Sequence, residues 1–350
     1  MKPELLINTD NLVKNAQALK DTVGDFYCVL KCDAYGHGAT RCASALHSAG
    51  MKRFAVFSLA EALEIKSFVG DSDILILGRT PSRYASALKE NRFIQTVFSE
   101  EYASELKPFS NGLRAHIKLD SGMNRSGFKT EPEMIKKAFS GFRGEIEGVY
   151  THFHSADCDS LEGAEKQLVK FTAYATELEV ILSKKLTKHA AASAAALRMK
   201  RARLDICRIG LALYGCLPDN CESARELLPV MTLRAPVISV REVKKGENIG
   251  YGCDNKAKKC MTVATVAVGY ANGLPRSAMR LFRPAINGKR VDIAGRICMD
   301  RCMLDVTDVD GVKPYCEVEL FGASVSVTEL AEAEGTIPYE TLTRVGKMNR

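Results

Sequence analysis

Lys31 closes an apolar run, Phe26 to Leu30, in the stretch FYCVLKCDAYGHGA that spans residues 26–39. The run is continuous rather than alternating, so it reads as a buried parallel strand. A turn with Tyr35, Gly36, His37 and Gly38 follows, and a helical pattern begins near Thr40. The carboxyl end of a strand, before such a turn, is where an α/β barrel carries reactive groups. A lysine stem crossing apolar surroundings loses hydration, which favours the neutral amine that attacks aldehydes and makes imines. The position alone fits equally a lysine that only reaches solvent, the commoner case because buried lysines are rare.

Three further sites draw notice by residue type. Tyr251 stands between Gly250 and Gly252, and a phenol there needs help from neighbours to act as an acid or base at neutral pH. His152 and His154, two apart, are expected to share one face of a strand over 147–152. No carboxylate or third histidine completes a ligand set, so no metal site is expected. Arg208 opens the buried run RIGLALYG; a guanidinium is donor-only and stays charged.

The elements that must position these residues follow a repeat. Strand-like runs at 26–30, 53–58, 73–78, 94–98, 114–119, 147–152, 187–190 and 205–209 alternate with helical patterns, the longest near 161–184. Eight strand–helix units imply parallel strands closed into a (β/α)8, TIM-type barrel. An open doubly wound sheet is the alternative, and no dinucleotide-binding glycine fingerprint supports it. After about residue 225 the chain changes to short segments rich in Val and Thr broken by Gly and Asn, which predicts a mostly β C-terminal domain. The expected division is a barrel over 1–225 and a β domain over 226–350.

With 350 residues, 46% hydrophobic, the chain can bury a core in each of two domains. Its charge of +7 is interspersed, with no basic arm, so nucleic acid is not an expected partner. No apolar stretch approaches the roughly 20 residues of a membrane span, and the start lacks a secretory core. The twelve cysteines are scattered without CxxC pairs, which fits reduced thiols in the cytoplasm.

Eight blocks then carry a resemblance. They are VLKCDAYGHGA, KLDSGMNRSGF (118–128), THFHSAD (151–157), RIGLALYG (208–215), IGYG (249–252), VGYANGLPR (268–276), GRICMD (295–300) and TIPYETLTRVG (336–346). In that order they are similar to the motifs of the alanine racemase family. The resemblance implies an enzyme using pyridoxal 5′-phosphate (PLP), with Lys31 as its attachment point and as a base at the substrate α-carbon. It implies Tyr251 as the second base on the opposite face, reaching the site from another subunit of a head-to-tail homodimer. It places His152 against the cofactor ring and Arg208 at the pyridine nitrogen. Tyr35, Ser193, Tyr339 and the backbone N–H groups of Ile209 and Gly210 match the phosphate site. Arg125 and the N–H of Met299 match the carboxylate site, and Lys118 matches a lysine that relatives often carry carboxylated.

Ala192, Asn272, Arg301 and Asn124 depart from the usual pattern. The expected activity is interconversion of L- and D-alanine. A serine or broad-specificity racemase is the alternative, and a PLP-binding barrel without turnover is less favoured, because Tyr251, Met299 and Tyr339 follow in order.

Overall fold

The structure, a computed structural model, describes residues 1–223 and 225–349. It begins with β1 (Glu4–Ile7) and a helix, Thr9–Val23. Eight strands follow: β2 (Phe26–Val29), β3 (Arg53–Val56), β4 (Asp73–Ile76), β5 (Ile94–Val97), β6 (Arg114–Lys118), β7 (Glu145–Tyr150), β8 (Thr187–His189) and β9 (Cys207–Ile209). They form one parallel sheet in the order β8-β7-β6-β5-β4-β3-β2-β9. Each of β2 to β8 leads into a helix, the alternation that parallel pairing requires. All four residues of β2 and of β5 are buried, as expected where helices cover one face of a strand and a packed interior the other.

The sheet is nearly a closed barrel. Beyond the regular ladders, Asp205 N–H donates to Lys188 O at 3.2 Å and Arg208 N–H to Ala191 O at 2.9 Å, which draws β9 to the β8 side. The barrel helices carry ordinary local signals. Ser58 and Glu61 make a reciprocal capping box at the start of helix Leu59–Val69. Helix Glu162–Ile181 buries Ala164, Leu168, Phe171, Ala175 and Leu178, a stripe at three- and four-residue spacing.

Residues 12–34 and 39–227 form one compact unit. Residues 1–11, 35–38 and 228–350 form another. The second is built on β10 (Met231–Val243), whose first eight residues alternate buried and half-buried. It pairs with β1, with β11 (Met261–Val266) and with β15 (Glu317–Phe321); β12 (Ala285–Ile286), β13 (Lys289–Arg290) and β14 (Cys302–Asp305) complete this mostly β sheet. All these pairings are antiparallel. Pro236 lies inside β10, and the β10–β11 ladder shifts register just after it, between Val237 and Ser239, where a missing N–H is tolerated. Among the described residues no helix is long and apolar enough to cross a membrane.

Two local expectations are corrected. The strand of residues 147–152 ends at Tyr150, so His152 and His154 lie beyond it and share no strand face; His154 is exposed. The turn after Lys31 is a left-handed helical turn over Lys31–Gly36. Cys32, Asp33, Ala34 and Tyr35 have φ of +53° to +55°, and Gly36 has +84°.

Candidate active site

The carboxyl ends of the barrel strands carry the predicted residues. Lys31 follows β2, Lys118 ends β6, His152 follows β7, Ser193 follows β8, and Arg208 stands within β9. This is the barrel face where catalytic groups collect.

The turn that bears Lys31 is costly to make. A left-handed conformation costs a non-glycine residue about 1–2 kcal/mol, and four occur in succession. Three hydrogen bonds hold it. Ala34 N–H donates to Leu30 O at 2.8 Å, Ala39 N–H to Asp33 Oδ1 at 2.6 Å, and Cys32 N–H to Glu61 Oε1 at 2.7 Å. The other oxygen of Glu61 takes the N–H groups of Phe57 and Ser58 at 2.7 and 3.0 Å. One carboxylate thus fixes both the start of a barrel helix and the lysine turn. Burial pushes the Lys31 amine below its ordinary 10.5, and the charges of Arg125 and Arg208 push the same way.

Arg208 is buried, 4% exposed, and no carboxylate touches it among the described residues. Its neighbours are neutral acceptors. Nη1 donates to His189 Nδ1 and His189 O, both at 2.9 Å. Nη2 faces Thr151 O at 2.7 Å, Ala190 O at 3.1 Å and His152 Nδ1 at 3.2 Å. The guanidinium also lies over the Tyr150 ring at 4.9 Å. Burial lowers its pKa to about 10, still charged at neutral pH. Because a guanidinium only donates, both imidazoles present bare Nδ1 atoms to it. Burial, then the Arg208 charge, holds His152 and His189 well below 6.5, so both rings are neutral.

Lys118 is buried and donates to Ser126 Oγ at 2.6 Å. Burial first, then Arg125 and Arg208, lower its pKa to about 8. Arg125 is exposed. Ser193, buried, accepts from the N–H of Gly210 at 3.1 Å and of Ala212 at 3.4 Å, which places the Ile209–Gly210 backbone beside its hydroxyl.

Tyr35, Tyr251, Met299 and Tyr339 belong to the other unit. The rings of Tyr35 and Tyr339 are 6.0 Å apart. Two glycines set that spacing: a Cβ on Gly346 would stand 2.1 Å from Gly36 O, so helix Pro338–Met348 can lie against the Gly36 backbone only without one. Tyr251 is 70% and Met299 61% exposed. Beside Tyr251, Arg296 pairs with Asp254 at 2.7 Å, over the Gly252 backbone. Among the described residues no group of three or more His, Cys, Asp or Glu stands together as a metal site.

Sequence reasoning missed His189, His116, Tyr150, Ser126 and Glu61. Imidazoles within the short strand-like runs of β6 and β8 were the available signal for the two histidines.

Two family descriptions match the chain: "Alanine racemase, N-terminal domain" over residues 7–218 and "Alanine racemase, C-terminal domain" over 230–350. Alanine racemase 1 of Caldanaerobacter subterraneus is 35% identical, over 97% of this chain and 91% of its own. The alanine racemase of Desulfovibrio desulfuricans is 35% identical, over 93% and 90%. Among solved structures, the biosynthetic alanine racemase of Pseudomonas aeruginosa superposes with a TM-score of 0.88 at 32% identity, covering 99% of this chain and 97% of that one. The Streptomyces coelicolor alanine racemase gives 0.91 at 29%, covering 99% and 96%. The Bacillus anthracis enzyme, solved with bound L-Ala-P, gives 0.86 at 33%, covering 98% and 92%. Barrel, β domain, motif order and full-length similarity agree, and the chain belongs to the alanine racemase family.

Proposed function

We propose that this isomerase interconverts L- and D-alanine by a two-base mechanism with pyridoxal 5′-phosphate as cofactor. The observation that carries the reading is the charge balance at the strand ends. A buried guanidinium without a carboxylate partner stands in one site with two lysines of lowered pKa. A buried charge without a counter-charge is expensive, so such a site suits a group that brings negative charge with it. A phosphate and a carboxylate are two such groups, and the residues present fit a cofactor carrying the first and a substrate carrying the second.

The cofactor supplies an electron sink for the pair left when the α-proton departs. The remaining work falls to the chain. Lys31, its amine pKa lowered by burial, is the attachment point and moves the proton on one face of the α-carbon. Tyr251 moves it on the other face; its place in the β domain supports donation from a partner subunit, and hence a homodimer. Arg208, donor-only, would leave the nitrogen of a bound pyridine ring without a proton, and His152 would pack against that ring. Ser193, Tyr35, Tyr339 and the N–H groups of Ile209 and Gly210 hold the phosphate. Arg125 and the Met299 N–H orient the substrate carboxylate, and Lys118 positions Arg125. All twelve cysteines are free thiols, which supports a reduced, cytoplasmic setting.

Two measurements test the reading. Borohydride reduction of the loaded enzyme should fix the cofactor to the Lys31 peptide, and label on another lysine would overturn that role. A chiral product assay across alanine, serine, arginine and lysine should show alanine turned over fastest. Serine ahead of alanine would replace the substrate, and no turnover would refute the activity.

A further inference from the structure

His116 is wholly inside the barrel, 1% exposed, and none of the site roles above uses it. Its Nδ1 lies 2.9 Å from His189 Nε2. His189 in turn meets Arg208 through its Nδ1 at 2.9 Å. The three side chains form one hydrogen-bonded line from β9 through β8 to β6.

The direction of that line follows from its first member. The guanidinium donates and cannot accept, so His189 Nδ1 is bare and a neutral His189 carries its proton on Nε2. That proton then points at His116 Nδ1, which must accept. We propose that His116 is a positioning residue for Arg208, acting through His189: by accepting from Nε2 it fixes the one tautomer that leaves Nδ1 free to receive the guanidinium. With the other tautomer an N–H would face the Arg208 N–H, and the guanidinium would lose its place against the strand.

The backbone is built to seat this ring. The β6–β7 ladder shifts register at Ala115/His116: Ala115 opposes Ile146 and His116 opposes Gly148. Parallel sheets rarely bulge, and bulges gather beside active sites. A Cβ at residue 148 would stand 2.7 Å from His116 Cε1, so a glycine is needed for the ring to fit. Tyr150 stacks on His189 at 4.7 Å and 10°, and the Tyr27 ring is 6.3 Å from His116 and 5.7 Å from His189. Both imidazoles are thereby confined to rotation within a packed layer. Burial, then the Arg114 and Arg208 charges, drives the His116 pKa down to about 3, so the acceptor stays neutral at any working pH.

This role deepens the proposed racemase site, but its first test does not depend on it. In the full-length wild-type chain labelled with 15N-histidine, without added cofactor, His189 should show a bare Nδ1. A scalar coupling across the hydrogen bond should join His189 Nε2 to His116 Nδ1. A protonated His189 Nδ1, or no coupling, overturns the proposal, whatever the enzyme catalyses. The second test uses His116→Phe, which keeps a ring but removes the acceptor, and His116→Asn, whose Oδ1 can stand where Nδ1 stood. In the loaded enzyme the Phe variant should lose about tenfold in kcat with little change in KM, the size of one buried hydrogen bond. Its transamination per turnover should rise, and the Asn variant should recover both. Equal damage in the two variants would reduce His116 to packing and refute the role. Racemase activity absent from the wild type, with the coupling present, would refute the function and leave the relay standing.

Discussion

Gly346→Ala tests whether helix packing in the β domain sets the Tyr35–Tyr339 pair. The added methyl would lie 2.1 Å from Gly36 O, 2.5 Å from Gly36 Cα and 2.6 Å from Gly36 C. All three are backbone atoms, so no rotamer change relieves the clash. An ordinary carbon–oxygen approach is about 3.4 Å, so helix Pro338–Met348 must withdraw by about 1 Å and carry Tyr339 with it. Overpacking of this kind costs about 3 kcal/mol. With the Tyr339 hydroxyl drawn out of reach of the phosphate, the cofactor should bind about tenfold more weakly. Gly335→Ala is the control. It has φ +78° and nothing within 4 Å of the new methyl, so it should cost about 1–2 kcal/mol in backbone strain and leave cofactor affinity unchanged. Urea midpoints and cofactor titrations of both variants are the assays. A Gly346→Ala protein no less stable than Gly335→Ala, with unaltered cofactor affinity, would refute the reasoning.

Acid should unfold the protein early. Burial above all holds His116, His152 and His189 below the ordinary 6.5, so below that pH the unfolded chain takes up protons that the folded chain refuses. Their contribution is complete above pH 6.5 and falls as the pH drops, by about 2 kcal/mol per histidine at pH 5; a urea midpoint flat from pH 7 to 5 would contradict it. If the proposed homodimer shares its sites, Lys31→Ala and Tyr251→Phe chains should each be inactive alone, yet recover roughly one quarter of wild-type activity after random remixing, because half the dimers would be mixed and each would hold one intact site. No recovery despite proven subunit exchange would mean that both bases come from one chain, or that Tyr251 is not the second base.

The barrel was legible because largely apolar runs such as β2, β3 and β4 alternate with helical patterns, and all eight strands were placed within a few residues, although β7 and β8 are short of apolar side chains. Lys31 and Arg208 drew notice as cations at the edge of apolar runs, but position alone favoured an ordinary solvent-reaching lysine, and only the resemblance gave either one an expected role. The left-handed turn was not legible: Cys32, Asp33, Ala34 and Tyr35 show none of the glycines that a positive φ favours, and one of the three hydrogen bonds that hold it comes from Glu61, 29 residues from Cys32. The pairing of β1 with β10 joins Glu4 to Arg234, a separation that leaves no local pattern to read. The Arg208–His189–His116 line escaped for a similar reason: each member sits on a different strand, and only closure of the barrel brings them together.

That closure has a kinetic consequence. β8 and β9 have three residues each, and between them run the bonds from Asp205 N–H to Lys188 O and from Arg208 N–H to Ala191 O. The barrel therefore has a preferred line of local opening, and amide hydrogen exchange should be fastest there among the strand amides. One of the two amides belongs to Arg208, whose side chain would meet the anionic cofactor. A ligand that binds only the closed form sews the seam, and protection at Asp205 and Arg208 should rise with its concentration, about 2.7 kcal/mol at a hundred times Kd. Exchange at those two amides that ignores the cofactor, while the other strands respond, would place the opening elsewhere.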